Sequence, residues 1–570
     1  MVITVVEKKI IAIIIVSYIA LSLFNYNTIE EDAFIYFRCA ENIASGYGYV
    51  FNQGGERTEF CSSWAWLFLL ILITKLGLNI ITFTKLLGIL FGCIALVLIF
   101  KITKNFHCKY PWSVLPSLLT AINLPFLFWN QRGLDTPLYI VIILWLVLIC
   151  LKKSTFKFWA IPSGLLLISR PEGFFVLTAL IIPLYYFREN RREILLSMIA
   201  FILLWFTFTA GRLLYFNDIF PTPFYVKMIA GKPMGFVVLH DYFKNNYFYY
   251  FCIPLLGALW KRNEWNRERN ILTGFIGILI IWFVLKGIEF KPYYRHLVPS
   301  IPLIFIFVIT SISKYFSLTG KKEKILLGLY VLCFGLASLV LSEQFPTFLN
   351  KKNPVAENLQ HVSSKPRDYI KGLYELFYTP FNLGTFQILV GEFVKKNYYE
   401  GSTLVHDQMG QTPFQAGQGY AFIDSWGITD KKIAHYYFYR QKQAKGMIYI
   451  YKKISSYILK NFSVNYISYS TPAILDYIFK QNPDVILMNK NSLIHRSKIA
   501  YMLFNHPKLK NDYNLKYLLA GIIFVFEKKE LHAKQLTIPD ELNVVGREEI
   551  KKMIKDNHFP ITFDTESPIR

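Results

Sequence analysis

The 570-residue chain has few cysteines and few charged residues. Its seven cysteines are scattered and form no CxxC pair, so neither a disulfide framework nor a zinc site is predicted, although a pairing of Cys39 with Cys61 stays open. Charged residues make up 18% of the chain, against about 25% in typical soluble proteins. Hydrophobic residues reach 54%, and the mean hydropathy is +0.33. This composition excludes a disordered chain and argues against a soluble enzyme.

Motifs for nucleotide and metalloprotease chemistry are also missing. No Walker loop, no GxGxxG after a strand and no HExxH occurs in the chain. Nucleotide-dependent transfer and zinc proteolysis therefore lack support. Towards the C-terminus, His406-Asp407 and the pair Asp424 and Asp430 could bind a sugar or calcium, but no EF-hand spacing is present. We expect these residues to serve strand ends and turns.

The charge that is present is strongly one-sided. Lys and Arg number 62 against 38 Asp and Glu, which gives a net charge of +24. In a chain this apolar, such an excess is typical of cytoplasmic loops beside membrane spans, so no nucleic-acid partner is predicted. Aromatic residues reach 17%, which suits membrane interfaces and the stacking of sugars.

Apolar runs of membrane length begin near the N-terminus, where Lys8 and Lys9 precede the run Ile10–Tyr26. No small-residue cleavage site follows, so we interpret this run as an uncleaved span. Ten further runs cover about residues 82–100, 111–128, 137–151, 157–169, 174–187, 194–210, 247–260, 271–285, 298–313 and 325–342.

The positive-inside rule decides the status of one ambiguous segment, Trp64–Leu76, which is short and contains Lys75. If this segment crossed the membrane, every basic loop after it would lie outside. We therefore place it on or partly in the outer leaflet. The prediction is a mainly α polytopic membrane protein of about eleven spans with a cytoplasmic N-terminus. Such a chain is expected in the cell inner (plasma) membrane.

This topology divides the chain into two domains. Residues 1–342 form a transmembrane domain with a long outer loop, 27–63, and residues 343–570 form a mixed α/β domain on the periplasmic or extracellular face. Short apolar runs predict buried strands and the stretches between them predict helices. The strands are Thr403–His406, Val464–Tyr469 and Asp484–Met488, and the helices are 432–445 and 450–461. Leu518–Phe526 is too short to span, and the polar end, 531–570, is expected to be loosely held.

Two polar motifs on the predicted outer face can carry chemistry. Glu30-Glu31-Asp32 follows the first span, where a carboxylate can take a proton from an acceptor hydroxyl; the alternative is a solvated acidic loop. Arg170-Pro171-Glu172-Gly173 interrupts two short apolar runs. Its Arg suits a phosphate, and the alternative is an Arg–Glu pair that closes the turn.

Two further outer segments combine cations with aromatic rings. Tyr294 and Arg295 open the span at 298–313, and an earlier outer loop, Gly211–Asn246, holds Arg212, Tyr225 and Lys227. Each segment can bind an anionic, sugar-bearing ligand. Each can equally be an interfacial belt with long basic side chains that reach the membrane surface.

Several blocks together resemble a bacterial GT-C membrane glycosyltransferase family, near which the mycobacterial terminal arabinofuranosyltransferases belong. The first block is Glu31–Arg38, with Asn42, Gly46, Gly48, Val50–Asn52 and Gly54–Glu59. The others are Arg132–Thr136, Arg170–Gly173, Pro221–Lys227, Arg295–Pro299, Asp407–Gly410 and Asp424–Ala434. Four departures concern the pocket lip: Glu31 replaces an Asp, Cys39 a Tyr, Phe60–Ser63 the motif G-Y-T-N, and Pro223 a Thr.

The resemblance implies a GT-C fold and the transfer of a pentose or hexose, with inversion, from a polyprenyl-phosphate donor. The acceptor would be a glycan, lipid or protein on the outer face. Asp32 or Glu31 would be the base, and we favour Asp32. The donor phosphate would contact Arg170, Arg295, Lys227 and Arg38. The acceptor pocket would include Glu59, Asp135, Glu172, Tyr225 and Tyr294.

No cofactor is required by this scheme, because Arg and Lys can stabilise a monophosphate leaving group. A divalent cation, Mg or Mn, would use Glu31 and Asp32.

The alternative function is a transporter or flippase for a lipid-linked or anionic substrate, since broken helices with Arg and Glu also suit transport. A sugar-binding scaffold is a third option, but it leaves Arg170 and Glu172 unexplained.

Overall fold

The structure is a computed structural model of the chain. It describes residues 3–24, 29–152, 160–178, 191–228, 267–286, 295–313, 320, 383–440, 471–489, 499–520, 522–539 and 542–550. Up to residue 313 the elements are helical. They are α1 Val5–Phe24, α2 Glu31–Ala44, α3 Trp64–Lys75, α4 Ile80–Asn105, α5 Leu115–Ala121, α6 Leu124–Asn130, α7 Thr136–Leu151, α8 Ala160–Ser169, α9 Gly173–Thr178, α10 Arg191–Phe216, α11 Thr222–Met228, α12 Arg267–Lys286 and α13 Ser300–Ile312.

Two helices in the described ranges are long and apolar enough to cross a membrane. They are α4 and the Ile199–Phe216 part of α10. The shorter apolar helices are α3, α7 and α13. Predicted spans 247–260 and 325–342 lie outside the described residues, and span 174–187 is described only as far as Thr178. The count of about eleven spans therefore stays a prediction.

The ambiguous segment forms α3, which has 12 residues. At 1.5 Å per residue it is about 18 Å long, whereas the hydrocarbon core of a bilayer is about 30 Å thick. Its length therefore agrees with a segment that does not cross. The indole Nε1 of Trp66 in its first turn donates to the carbonyl of Gly133, 3.2 Å away, so α3 packs beside the loop that follows α6.

The predicted span 111–128 is not one helix. It divides into α5 and α6, each seven residues long, with a break at Ile122-Asn123. A proline stands in the first turn of each helix, where its missing N–H costs nothing. The side chain of Asn123 accepts from the amide of Phe126 and caps α6, so the sequence signals two helix starts where hydropathy alone indicates one span.

The outer loop contains a helix that the sequence analysis did not predict. Helix α2 occupies Glu31–Ala44, and nine of its residues are buried. Its buried positions include both apolar residues and Arg38, because α2 lies between the helices up to residue 313 and the C-terminal domain from residue 383. We name this C-terminal part the outer domain after its predicted location. The acidic motif is thus the first turn of a buried helix, where the N-terminal end favours negative charge.

The outer domain is built on a six-stranded mixed sheet. Its helices are α14 Leu383–Asn397, α15 Gln411–Ala416, α16 Lys431–Arg440, α17 Thr471–Lys480, α18 Ile499–Phe504 and α19 Pro507–Asp512. Its strands are β1 Thr403–His406, β2 Ala421–Asp424, β3 Val485–Asn489, β4 Tyr513–Leu519, β5 Ile523–Lys528 and β6 Val544–Gly546. The strand order is β2-β1-β3-β5-β4-β6; β1 pairs with β2 and β3 in parallel, and the other pairs are antiparallel.

The mixed α/β prediction is confirmed by this sheet, and several of its elements were expected. Strand β1 has the predicted bounds, and β3 is displaced by one residue from Asp484–Met488. The apolar run Leu518–Phe526 contains the end of β4 and the first four residues of β5, which pair with each other in an antiparallel manner. Strand β6 lies in the segment expected to be loosely held, where its pairing with β4 orders it. The predicted elements Val464–Tyr469 and 450–461 lie outside the described residues.

Polar contacts join the outer domain to the outer loop. The side-chain amide of Asn52 donates to the carbonyl of Phe422 at 2.8 Å and accepts from its N–H at 2.9 Å, in the manner of an extra strand beside β2. The Lys431 ammonium group contacts the Glu56 carboxylate at 2.7 Å.

Cys39 and Cys61 are buried free thiols. The disulfide between them that the sequence left open is therefore not formed.

Candidate functional site

A cavity of about 40 Å³ lies where the outer loop, the helical half and the outer domain meet. Its volume accommodates a few water molecules. Three of its lining residues are charged: Asp32, Asp135 and Arg295. The others are Ile35, Tyr36, Phe60, Ser62, Leu134, Pro223 and Ile428. Segments far apart in sequence thus bring two carboxylates and one guanidinium group to the same space.

Asp32 reaches the cavity from the first turn of α2, and Asp135 reaches it from the loop before α7. The second loop approaches α2 closely. Gly133 has a φ of 78°, and a Cβ at this position would lie 3.2 Å from the Cβ of Ala33. Glycine both permits the left-handed backbone and allows the contact. The amide of Glu30 donates to the carbonyl of Arg132 at 3.0 Å, which joins the two carboxylate-bearing segments.

Arg170 fixes the orientation of Asp135. Its Nε donates to Oδ2 at 2.6 Å and its Nη2 donates to Oδ1 at 3.0 Å, a bidentate pair, while Nη2 also reaches the Thr136 hydroxyl. The guanidinium lies over the ring of Tyr139, with the carbon 4.6 Å from the centroid. Arg170 and Asp135 are 3% and 5% exposed. Arg170 is thus a partner of the cavity carboxylate and does not itself line the cavity.

The broken helix around Arg170 was expected, and so was an ion pair with Glu172, but Asp135 is the closer partner of Arg170. Helix α8 ends at Ser169 and α9 begins at Gly173, where a Cβ would lie 2.3 Å from the carbonyl of Leu166. Glu172 lies farther from the Arg170 Nη1, at 3.6 Å, and its carboxylate also contacts His296 Nδ1 at 3.2 Å. The turn therefore links Asp135 to the segment that carries Arg295.

Arg295 is the cavity cation. It is 9% exposed, and its guanidinium carbon lies 5.7 Å from the centroid of Trp129. Within the described residues it forms no hydrogen bond or ion pair, and its buried Nε has no acceptor. A buried guanidinium group without a protein acceptor suits an anionic ligand, because it is costly to leave such donors unsatisfied.

Tyr36 contributes a neutral hydroxyl to the cavity wall. Its oxygen accepts from the amide of Ser63 at 3.0 Å and lies 3.4 Å from the Ser62 hydroxyl. Burial, together with the nearby charge of Asp135, raises the pKa of Tyr36 above its ordinary value of 10.0. The phenol therefore stays protonated at neutral pH and offers a hydrogen bond. Sequence reasoning missed this residue, because a tyrosine in a hydrophobic stretch gives no separate signal.

Glu31 has a different environment from Asp32. Its Oε1 accepts from the backbone N–H groups of Gly410 and Gln411, at 2.9 and 3.0 Å. These are the N-cap and first residue of α15 in the outer domain. Glu31 does not line the cavity described above, so the two adjacent carboxylates of α2 have different surroundings.

Arg38, predicted to contact the donor phosphate, is fully buried against the outer domain. Its Nε donates to the carbonyl of Phe51, its Nη1 to those of Pro413 and Gly417, and its Nη2 to that of Tyr420, over distances of 2.6 to 3.0 Å. We therefore revise its assignment: these backbone acceptors occupy the guanidinium donors that a phosphate would need.

Two other predicted pocket residues, Glu59 and Tyr225, are close in sequence to the lining residues Phe60 and Pro223 but do not line the cavity. Glu59 is buried and accepts from Arg212 and, at 2.8 Å, from Trp64 Nε1. Tyr225 is buried and donates to Asp218, whose other oxygen lies 2.9 Å from His435 Nε2. The side chains of Glu59 and Tyr225 thus bind other groups of the protein and hold their own segments in place. Tyr294 and the side chain of Lys227 lie outside the described residues.

The polar motif of the outer domain forms a turn, as expected. Asp424 Oδ1 accepts from the amide of Trp426 at 2.8 Å, and Oδ2 accepts from the amide of Thr429 at 2.7 Å. Burial raises the pKa of Asp424 to about 7, although the backbone donors oppose this shift. This turn carries Ile428 into the cavity wall. Asp430 caps α16 through the amide of Ile433.

In the portion of the chain that the structure describes, no group of three or more His, Cys, Asp or Glu side chains could hold a metal ion. Asp32 and Asp135 are the two carboxylates of the cavity. The option of a divalent cation therefore stays a prediction.

Comparisons with known proteins address the fold of the whole chain. ArnT from Cupriavidus metallidurans, bound to undecaprenyl phosphate, superposes with a TM-score of 0.51 and 10% identity over 92% of this chain and 98% of that chain. The same protein in the apo state gives 0.50 and 11% identity over 90% and 96%. The oligosaccharyltransferase AglB from Archaeoglobus fulgidus gives 0.47 and 9% identity over 94% and 75%. The likeness to ArnT shows that the chain has the GT-C fold.

Sequence comparisons add one domain. Residues 381–532 match the family model DUF8728, a domain of unknown function, and this range contains most of the described outer domain. No curated protein matches the chain. The predicted GT-C fold is confirmed by the structural likeness, whereas the nearness to mycobacterial arabinofuranosyltransferases stays a prediction.

Proposed function

We propose that the protein is a glycosyltransferase that moves a sugar from a polyprenyl-phosphate donor to an acceptor hydroxyl on the outer face of the inner membrane. The observation that carries the proposal is the meeting of Asp32, Asp135 and the buried Arg295 in one cavity. ArnT has the same fold and was crystallised with undecaprenyl phosphate bound. This complex supports the proposal that the donor sugar is carried on a lipid phosphate.

In the proposed reaction, Asp32 is the general base. Its carboxylate takes the proton of the acceptor hydroxyl as that oxygen attacks the anomeric carbon. The bond from the anomeric carbon to the phosphate oxygen breaks, and polyprenyl phosphate leaves with the electron pair. One displacement at this carbon inverts its configuration, and no covalent enzyme intermediate is needed.

Arg295 is proposed to bind the donor phosphate and to stabilise the charge that it gains on departure. A guanidinium group can hold two phosphate oxygens at once, and a dry cavity strengthens this attraction. Asp135 is held by Arg170, so it presents a fixed carboxylate to the substrate hydroxyls. The acceptor glycan, lipid or protein would enter beside Ile428 and Pro223.

A transfer assay with the purified full chain tests the proposal. Reconstituted protein is supplied with polyprenyl-phosphate pentoses and hexoses and with glycan, lipid and peptide acceptors. The expected result is free polyprenyl phosphate in equal amount to the glycosylated product, lost in Asp32→Asn. Movement of intact donor between the leaflets of liposomes, without any transfer, would instead establish the flippase alternative.

The location on the membrane is part of the same proposal. Reporter fusions at residues 105, 155, 190 and 265 should report the cytoplasm, and fusions at 55 and 400 the outer side, because basic loops stay inside. A cytoplasmic signal from the fusion at 400 would place the cavity on the wrong face for a lipid-linked donor.

A further inference from the structure

Glu31 and Asp32 are adjacent in sequence and have different partners. Asp32 lines the cavity, whereas the Glu31 carboxylate accepts from the amides of Gly410 and Gln411 in the outer domain. A single oxygen, Oε1, accepts both hydrogen bonds. Both residues belong to the first turn of α2, so whatever fixes the backbone at Glu31 also fixes it at Asp32.

The contact between Glu31 and the outer domain depends on a glycine, Gly410. A Cβ added to Gly410 would lie 2.1 Å from the Glu31 carbonyl oxygen and 2.6 Å from its Oε1. Distances this short exclude any side chain without a displacement of one of the two segments. Gly410 is thus required for the close approach of the two segments.

The rest of α2 is clamped by the same part of the outer domain. Phe34 and Phe37 pack against Phe414 with ring centroids 5.2 and 6.0 Å apart. Arg38 donates to the carbonyl of Pro413, one residue before that ring. Helix α2 therefore cannot shift unless residues 410–420 shift with it.

We propose that Glu31 is a positioning residue, which couples the outer domain to the proposed base by holding the first turn of α2 in place. This inference rests on the proposed function, and it assigns a task to the domain of unknown function that matches residues 381–532. The outer domain sets the position of Asp32 and supplies Ile428 to the same cavity. A base displaced by about 1 Å can cost about 100-fold in rate.

Two substitutions at Glu31 separate positioning from a direct role for its charge. Glu31→Gln removes the charge and keeps a side-chain oxygen at the same reach. Glu31→Asp keeps the charge and shortens the side chain by one methylene, so the two amides are no longer reached. We expect Glu31→Gln to retain kcat within about threefold and Glu31→Asp to lower it about tenfold or more, with unchanged donor affinity in both.

Glu41 provides a matched control on the same helix. Its Oε2 accepts from Gln418 Nε2 at 3.0 Å, a contact with the same outer-domain segment but ten residues away from Glu31. Glu41→Asp shortens the side chain by the same methylene and should break the contact with Gln418, but it should leave kcat within about twofold. Gly410→Ala tests the partner side and should reproduce the kcat loss of Glu31→Asp.

The measurements are kcat, donor affinity and thermal unfolding of each full-length variant in the transfer assay. The reverse order, with Glu31→Asp active and Glu31→Gln inactive, would show that Glu31 acts through its charge and would overturn the inference. Equal activity of all variants would also overturn it. A wild-type protein that transfers no sugar would instead contradict the proposed function itself.

Discussion

Two buried arginines near the same helix show how differently one residue type is used. In the docking interface between α2 and the outer domain, Arg38 donates to four backbone carbonyls and lies over the ring of Phe51. In the cavity, Arg295 is almost as buried, but within the described residues it forms no hydrogen bond or ion pair. The first region is complete without a ligand, and the second has donors to offer to one.

The difference explains why a buried charge is weak evidence for function when it is considered alone. Carbonyl acceptors arranged around Arg38 repay the loss of hydration, so its role is structural. Arg295 has lost most of its hydration, and among the described residues it has gained a ring contact without any hydrogen bond, which a phosphate can supply. Four substitutions test this difference between the two regions, and their expected effect on the transfer reaction, through kcat or donor affinity, decreases from Asp32 to Arg38.

The largest effect is expected at the cavity carboxylate. Asp32→Asn keeps the shape of the side chain and removes its basicity, so kcat should fall about 100-fold or more, on the scale of general-base losses. Donor affinity, measured by equilibrium binding of the lipid-linked sugar, should persist. Glu30→Gln serves as the control, since Glu30 is not a lining residue of the cavity. Near-normal turnover of Asp32→Asn would remove it as the base.

The next effect is expected at Arg295. Arg295→Ala removes charge-assisted hydrogen bonds to the donor, each worth about 1.5–3 kcal/mol, so donor affinity should fall about tenfold or more. Arg295→Lys should restore only part of it, because an ammonium group lacks the planar fork. Unchanged donor affinity in both variants, with normal thermal unfolding, would place the phosphate elsewhere.

Arg170 should behave differently, because its guanidinium group is already paired with Asp135. Arg170→Met leaves Asp135 buried without its bidentate partner, which costs about 3–5 kcal/mol when one member of a buried pair is lost. Thermal unfolding should shift to lower temperature and kcat should fall, while donor affinity of the folded protein stays near that of the wild type. Lower donor affinity without loss of stability would return Arg170 to the phosphate site.

The smallest effect on turnover is expected at Arg38. Arg38→Met leaves backbone carbonyls without their donor, at about 1–3 kcal/mol for each one that water cannot reach. The yield and thermal stability should therefore fall, while donor affinity of the folded fraction should not change. A selective loss of donor binding in a stable variant would contradict the structural role.

Much of the candidate site could be predicted from local sequence. Asp32 and Arg295 were expected at the outer face from the apolar runs and the positive-inside rule, and both line the cavity. The break at Arg170–Gly173 was expected because two short apolar runs flank it. Such features are local: they depend on runs of similar residues and on helix breakers that are visible within one stretch of chain.

Other parts could not be predicted, because they depend on which distant groups meet. Arg38, Arg170 and Arg295 have the same side-chain chemistry. Their neighbours in the sequence do not show that Arg38 donates to carbonyls, that Arg170 pairs with a carboxylate, or that Arg295 has neither partner among the described residues. Likewise, hydropathy could not reveal α2 in the outer loop, because its buried face is completed by the outer domain more than 370 residues later.

Local sequence was sufficient to establish the apolar and basic segments, the acidic motif and the mixed α/β character of the C-terminal part. These follow from composition and periodicity, which act within a few turns of chain. Tertiary packing was needed to establish that Glu31 faces the outer domain while Asp32 faces the cavity, and that Asp135 pairs with Arg170. Desolvation and pairing of charged groups are set by the surroundings of each side chain, and those surroundings exist only after the chain has folded.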